Sequence, residues 1–203
     1  MINSPSLLRL AVHTAGLAPL AVLLFDFFAG RLTLNPIQAA TRRTGDIALV
    51  ILLLSLACTP ACSIFWFRQA IRIRRTVGLY AFFYAALHLL MFFGVDYQFD
   101  FGMILADLNQ KYYIFIGLAA FAIVLALAAT SFDIWKRSLG KAWKKLHRWV
   151  YFAAPLAILH FAWAKKGSLF NLRGEVFWPM LAVSSLVLLL LARLPRIKKL
   201  FHP

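Results

Sequence analysis

Six apolar stretches divide this chain, at about residues 7–28, 47–67, 77–95, 112–130, 148–164 and 176–194. Most approach the ~20 residues that an α-helix needs to cross a ~30 Å hydrocarbon core. The fifth is the shortest and must borrow length from its flanks. Lipid tolerates only helices and closed barrels, because every backbone polar group must be satisfied within the protein. The ten-residue alternation of barrel strands is absent from the sequence. The expected fold is therefore all-α: a polytopic membrane protein, a bundle of six transmembrane helices forming a single domain over residues 1–203.

Composition agrees. With 63% apolar and only 14% charged residues, the chain is not an ordinary water-soluble domain. The net charge of +15 would suit nucleic acid, but the Lys and Arg sit in short clusters between apolar runs. That is the pattern of membrane flanks drawn to the anionic lipid bilayer, and nothing resembles a nucleic-acid-binding module. Orientation follows from the same residues. With a cytoplasmic N-terminus, fifteen Lys and Arg fall inside and seven fall outside, so both termini are expected in the cytoplasm. The inner set includes Arg72, Arg74, Arg75 and the run from Lys136 to Arg148; the outer set includes Arg42, Arg43, Lys111, Lys165, Lys166 and Arg173. Small residues at Phe28-Ala29-Gly30 could mimic a signal-peptide cleavage site, but only Arg9 precedes the apolar run, and His13 and Asp26 lie within it. A retained first helix is the expectation. Cys58 and Cys62 are too few for an iron–sulfur cluster or a structural zinc, and read as small packing residues.

The chemistry-bearing residues are histidines. His88 lies about eleven residues into the third span and His160 about twelve into the fifth, and those two spans run in the same direction. At ~1.5 Å per residue both lie some 17 Å from the cytoplasmic surface. Ionisable groups at such depth are candidates for function. Two imidazoles at one depth on parallel helices can ligate a haem iron from opposite sides, leaving no open position, which suits electron transfer. Ala85 and Ala81 precede His88 by three and seven residues, as Ala157 and Ala153 precede His160. Such lanes give a flat porphyrin room to lie close, although small lanes also serve helix packing.

His147 stands at the cytoplasmic flank, thirteen residues or ~20 Å before His160. It suits a ligand of a second, inner haem, or the lining of a cytoplasmic cofactor or propionate pocket. A regular helix leaves the two side chains roughly 140° apart, and Pro155 between them could rotate one half. His13 could be an inner ligand or a hydrogen-bonded packing residue, and His202 reads as solvated. Asp26 could snorkel, or accept a proton beside a quinol held at the outer loop.

Several motifs carry a family resemblance: Val12-His13-Thr14-Ala15-Gly16, Asn35-Pro36, Arg43-Thr44-Gly45, Arg74-Arg75-Thr76-Val77-Gly78-Leu79, Tyr84-Ala85-Ala86-Leu87-His88 and Ala129-Thr130-Ser131. The strongest runs from Lys136 to His147 and is followed by Tyr151 and His160. In this order the chain resembles the MsrQ (YedZ) family, within the ferric-reductase-like transmembrane group. These are haem-binding membrane subunits of bacterial periplasmic methionine-sulfoxide reductase systems. The resemblance implies haem b and FMN as cofactors, with His88, His147 and His160 at the family's important positions. It also implies a multi-pass protein of the bacterial inner membrane. Electrons would come from the quinone pool or a cytosolic flavin reductase and pass to a periplasmic molybdopterin subunit of the MsrP type, which performs the sulfoxide chemistry. The wider group often carries two histidines on each of two helices; here Arg74 and Arg75 stand where the inner partner would be. No flavin fingerprint is visible, and Arg72, Arg74 and Arg75 are the candidate phosphate contacts. Two rival readings are a ferric or cupric reductase of the same fold, and a small transporter or scaffold without haem.

Overall fold

The computed structural model describes residues 5–165 and 175–195. Lys166, Arg173, Arg196, Lys198, Lys199 and His202, which enter the orientation count or the histidine survey, lie outside them. The described residues form helices α1 (Pro5–Phe28), α2 (Pro36–Ile64), α3 (Gln69–Leu90), α4 (Phe101–Gln110), α5 (Tyr113–Ala129), α6 (Asp133–Leu139), α7 (Lys141–His147), α8 (Val150–Ala164) and α9 (Phe177–Leu191). A π-helical stretch, Met91–Asp96, prolongs α3. The all-helical expectation holds for the described residues.

Each apolar stretch coincides with a helix, but the lengths differ. Three continuous helical segments are long and apolar enough to cross a membrane: Ser6–Phe28, Pro36–Ile64 and Gln69–Asp96. The pair α4 and α5 adds a fourth if taken as one span, yet α4 turns off α5 by 110°. α5 has 17 residues, and α8 and α9 have 15 each. At 1.5 Å per residue these three fall short of ~30 Å on their own. α2 begins eleven residues before its apolar run does. Asn35 caps it by accepting the Gln38 N–H (3.0 Å), and Pro36 occupies the first turn, where a missing N–H costs nothing.

α2 is the hub, packing against α1, α3, α8 and α9, while α5 packs against α3 and α8. The core joins Leu49, Leu52 and Leu56 of α2 to Ala81 and Tyr84 of α3, Ala154 and Ile158 of α8, and Leu186 of α9. Large apolar side chains such as Phe25, Phe152 and Leu188 are exposed on the outside. An exposed apolar surface of this extent is what lipid requires and water does not tolerate.

Tyr84, fully buried, ties α1 to this core. Its hydroxyl donates to the Gly16 carbonyl (2.7 Å) and accepts the Leu20 N–H (3.0 Å). Those two backbone groups are partners in a regular α-helix, so the tyrosine engages α1 at its i→i−4 ladder, beside Pro19. Tyr84→Phe removes the partner of a buried carbonyl. The expected loss is about 1–3 kcal/mol of unfolding free energy, read from denaturation of the detergent-solubilised protein. An unchanged midpoint would show that the two backbone groups simply bond each other.

The α7–α8 junction departs from the expected single fifth helix. α7 ends at His147, and the hydrogen bonds Arg148 N–H to Lys145, Trp149 N–H to Leu146, Tyr151 N–H to Arg148 and Phe152 N–H to Trp149 are all of the i→i−3 type. A 3₁₀ turn advances about 120° per residue against about 100° in an α-helix. At about 20° more per residue, such a turn narrows the ~140° that a regular helix would leave between His147 and His160. The adjustment therefore lies at Arg148–Trp149, upstream of Pro155, which sits inside an intact α8.

Candidate functional site

The helix bundle brings His88 of α3 and His160 of α8 together. Their ring centroids are 6.0 Å apart, with the planes at 75°. Both rings line one cavity between α2, α3, α5 and α8. Each imidazole is held from behind by a neighbouring helix. The Nδ1 of His88 lies 2.8 Å from the Thr41 carbonyl, and the Nδ1 of His160 lies 2.7 Å from the Tyr113 carbonyl. A carbonyl oxygen can only accept, so in each neutral ring Nδ1 carries the proton and donates it. Nε2 is then unprotonated, with its lone pair available. Metal-binding histidines are held in this way, their second nitrogen donating to a carbonyl that fixes tautomer and ring orientation.

The close approach depends on two glycines. A Cβ on Gly45 would meet His88 Nδ1 at 3.0 Å, and one on Gly117 would meet His160 Nδ1 at 2.6 Å. Each ring thus lies against bare backbone of the helix that supplies its carbonyl. The two half-sites share one spacing: histidine and carbonyl are 47 residues apart in both. Thr41, Gly45 and His88 map onto Tyr113, Gly117 and His160 at a constant offset of 72 residues (113 − 41, 117 − 45 and 160 − 88). Ala81 and Ala85 map onto Ala153 and Ala157 at the same offset. The bundle therefore contains two equivalent helix pairs, α2–α3 and α5–α8, facing each other across the cavity. Sequence reasoning missed Thr41, Gly45, Tyr113 and Gly117. The signal that could have found them was the recurrence of Gly-x42-His at a fixed offset.

The pair fits a metalloporphyrin. Two metal–imidazole bonds of about 2 Å, with about 1.1 Å from each nitrogen to its ring centre, separate the centroids of trans imidazoles by about 6 Å. Ala81, Ala85 and Ala157 line the cavity beside the rings, as the alanine lanes suggest. Among the described residues no three His, Cys, Asp or Glu side chains gather, so the imidazoles stand as a two-ligand set.

His147 is placed differently. Trp143 stacks on it at 4.0 Å between centroids, and Trp143 Nε1 donates to the Thr130 carbonyl (2.8 Å). Thr130 Oγ1 lies 3.3 Å from His147 Nε2 while its own proton goes to the Ala126 carbonyl (2.6 Å). Burial holds the His147 imidazole below its ordinary pKa; Thr130 opposes this and Arg74 adds to it. Shifted back by 72 residues, His147 corresponds to Arg75, which pairs with Asp133 at 3.5 Å and stacks over Phe132. The inner half of the repeat thus has an imidazole on one side only. His13 does not enter the cavity: its Nδ1 is 2.9 Å from the Tyr80 hydroxyl, the packing alternative. Asp26 pairs with Arg43 of α2 at 2.5 Å. Cys58 is buried and bonded to the Leu54 carbonyl, a packing role.

Comparison with known proteins agrees in extent with the fold. The family described as ferric reductase like transmembrane component matches residues 44–158, which run from within α2, through α3 with His88 and through α5, into α8 two residues before His160. The chain is 42% identical over 187 residues to the protein-methionine-sulfoxide reductase heme-binding subunit MsrQ of Rhodospirillum rubrum, covering 92% of this chain and 86% of that one. It is 42% identical over 196 residues to the MsrQ of Deinococcus radiodurans, covering 95% and 92%. The MsrQ of Bordetella pertussis is 41% identical over 179 residues, covering 88% and 84%.

Proposed function

Because this chain belongs to the ferric-reductase-like transmembrane family, and within it to the MsrQ group, we propose that it is the haem-binding, electron-carrying membrane subunit of a protein-methionine-sulfoxide reductase system. The observation that carries this reading is the His88–His160 pair, 6.0 Å apart, each ring with its Nδ1 on a backbone carbonyl. Haem b supplies a one-electron centre cycling between ferric and ferrous iron. The chain's residues do the rest. His88 and His160 would hold the haem iron through their Nε2 atoms, and a pair of imidazoles would leave no room for an exogenous ligand. Thr41 and Tyr113 fix the imidazole tautomers, and the apolar walls keep the site dry.

The protein sits in the bacterial inner membrane as six spans with both termini cytoplasmic, the short α5, α8 and α9 being lengthened by their flanks. Electrons enter from membrane quinone, or from a cytosolic flavin reductase at the basic cytoplasmic end, and leave at the outer face to a periplasmic molybdopterin subunit of the MsrP type. His147 marks the inner station, where serving as a ligand through Nε2 requires giving up Thr130. FMN, if bound, finds its phosphate contacts in Arg72 and Arg74, since Arg75 is engaged by Asp133.

The purified protein is expected to show low-spin b-type bands in a dithionite-reduced minus oxidised spectrum. Absence of haem bands in folded protein would return the chain to the transporter or scaffold reading. A ferric or cupric reductase role predicts instead that deleting the gene abolishes metal reduction and spares periplasmic sulfoxide repair.

A further inference from the structure

The cavity that holds His88 and His160 is polar at one end only. Leu52, Ala81, Ala120, Phe121 and Val124 line its depth and offer no side-chain donor to an anion. Its mouth is lined by Arg42, Lys111 and Lys165, with the acids Asp46 and Asp96. A haem has the same asymmetry: an apolar disc with two carboxylates on a single edge. Burying those carboxylates among apolar side chains without partners is prohibitively costly, so the edge must face the mouth.

The three cations are not equally available. Lys111 is closely engaged by the Asp107 carboxylate, which the Tyr97 hydroxyl also contacts. Lys165 pairs with Asp46 at 3.6 Å and with Glu175 at 3.9 Å and lies over the Phe161 ring, contacts longer and looser than that of Lys111 with Asp107, so a ligand carboxylate can compete for its three donors. Arg42 makes no hydrogen bond among the described residues, and its planar fork matches a carboxylate. Asp46 attracts both cations and offsets part of their charge; Glu175 is mostly exposed and screened by solvent.

We propose that Arg42 and Lys165 form a carboxylate-binding rim that takes the two propionates of the haem held between His88 and His160. The assignment rests on the haem reading and sets the orientation of the disc, with its polar edge at the mouth between α2 and the end of α8.

The test uses the full chain, produced without haem supply and placed in nanodiscs. It is titrated with iron protoporphyrin IX and with the dimethyl ester of the same porphyrin, following the low-spin Soret band. Charge-assisted hydrogen bonds lost to the ester predict that the wild type binds the free acid about tenfold or more tightly. The Arg42→Gln/Lys165→Gln variant is expected to bind both forms within about twofold of each other, with the low-spin spectrum retained. Arg43→Ala, which removes the partner of Asp26, should leave the wild-type preference intact. Equal binding of acid and ester by the wild type, or a full preference in the Gln variant, overturns the rim. A wild type that gives no low-spin spectrum with either porphyrin overturns the haem reading itself, a distinct result.

Discussion

Replacing either His88 or His160 with alanine is expected to abolish the low-spin haem spectrum, not merely to weaken it. In the proposed site each ring would supply one of the two ligands to the haem iron, and neither has a substitute nearby. The described His13 and His147 are both engaged elsewhere, by Tyr80 and by Thr130. With one ligand lost, the remaining imidazole would not by itself keep the iron low-spin, and the spectrum would differ in kind. Pyridine-haemochrome quantification and the reduced-minus-oxidised spectrum of each variant measure this directly. His147→Ala is the internal control: it should spare this spectrum while altering electron entry or an inner cofactor. Retention of an unchanged low-spin spectrum by His88→Ala or His160→Ala would falsify the pairing.

The second large effect is expected at a residue with no side chain. Gly117→Ala puts a methyl 2.6 Å from His160 Nδ1 and 2.7 Å from Cε1, distances at which real Cβ atoms are essentially never found. The ring must move, and its 2.7 Å bond to the Tyr113 carbonyl goes with it. Overpacking of this kind costs about 1–3 kcal/mol, so haem affinity should fall about tenfold or more. Gly45→Ala makes the same chemical change in the equivalent half-site, but its methyl meets His88 at 3.0 Å, a contact that a small shift relieves. The two variants should therefore rank, with Gly117→Ala clearly the more damaging. Haem titration followed at the Soret band, with helicity measured in parallel to separate misfolding from loss of ligand, decides it. Equal and negligible effects at both positions would mean that the rings are not held against these backbones.

Much of this was legible along the chain, for physical reasons. Lipid imposes a length and a composition on any crossing helix, so the helices could be placed by counting apolar residues. Their ends could not. The start of α2 at Pro36 is set by a cap and a proline, not by hydropathy, and it brings Thr41, Arg42 and Gly45 onto the helix beside the cavity. The matched depth of His88 and His160 also followed from counting, because helical rise is constant. The relation of His147 to His160 did not, because a 3₁₀ turn at Arg148–Trp149 changes the angle that counting assumes. The partner of Asp26, Arg43, stands seventeen residues away on another helix and was not legible from spacing.

The sequence by itself determined a helical membrane protein with two deep histidines at one depth, since periodicity, length and depth are local properties of a chain in lipid. Only the tertiary structure decided that these histidines meet at 6.0 Å, that carbonyls 47 residues upstream hold their tautomers, and that two glycines make room for the rings. Those features are set by how α2 packs on α3 and α5 on α8. Close contact between helices depends on which faces meet, and a one-dimensional count of residues does not contain that angle.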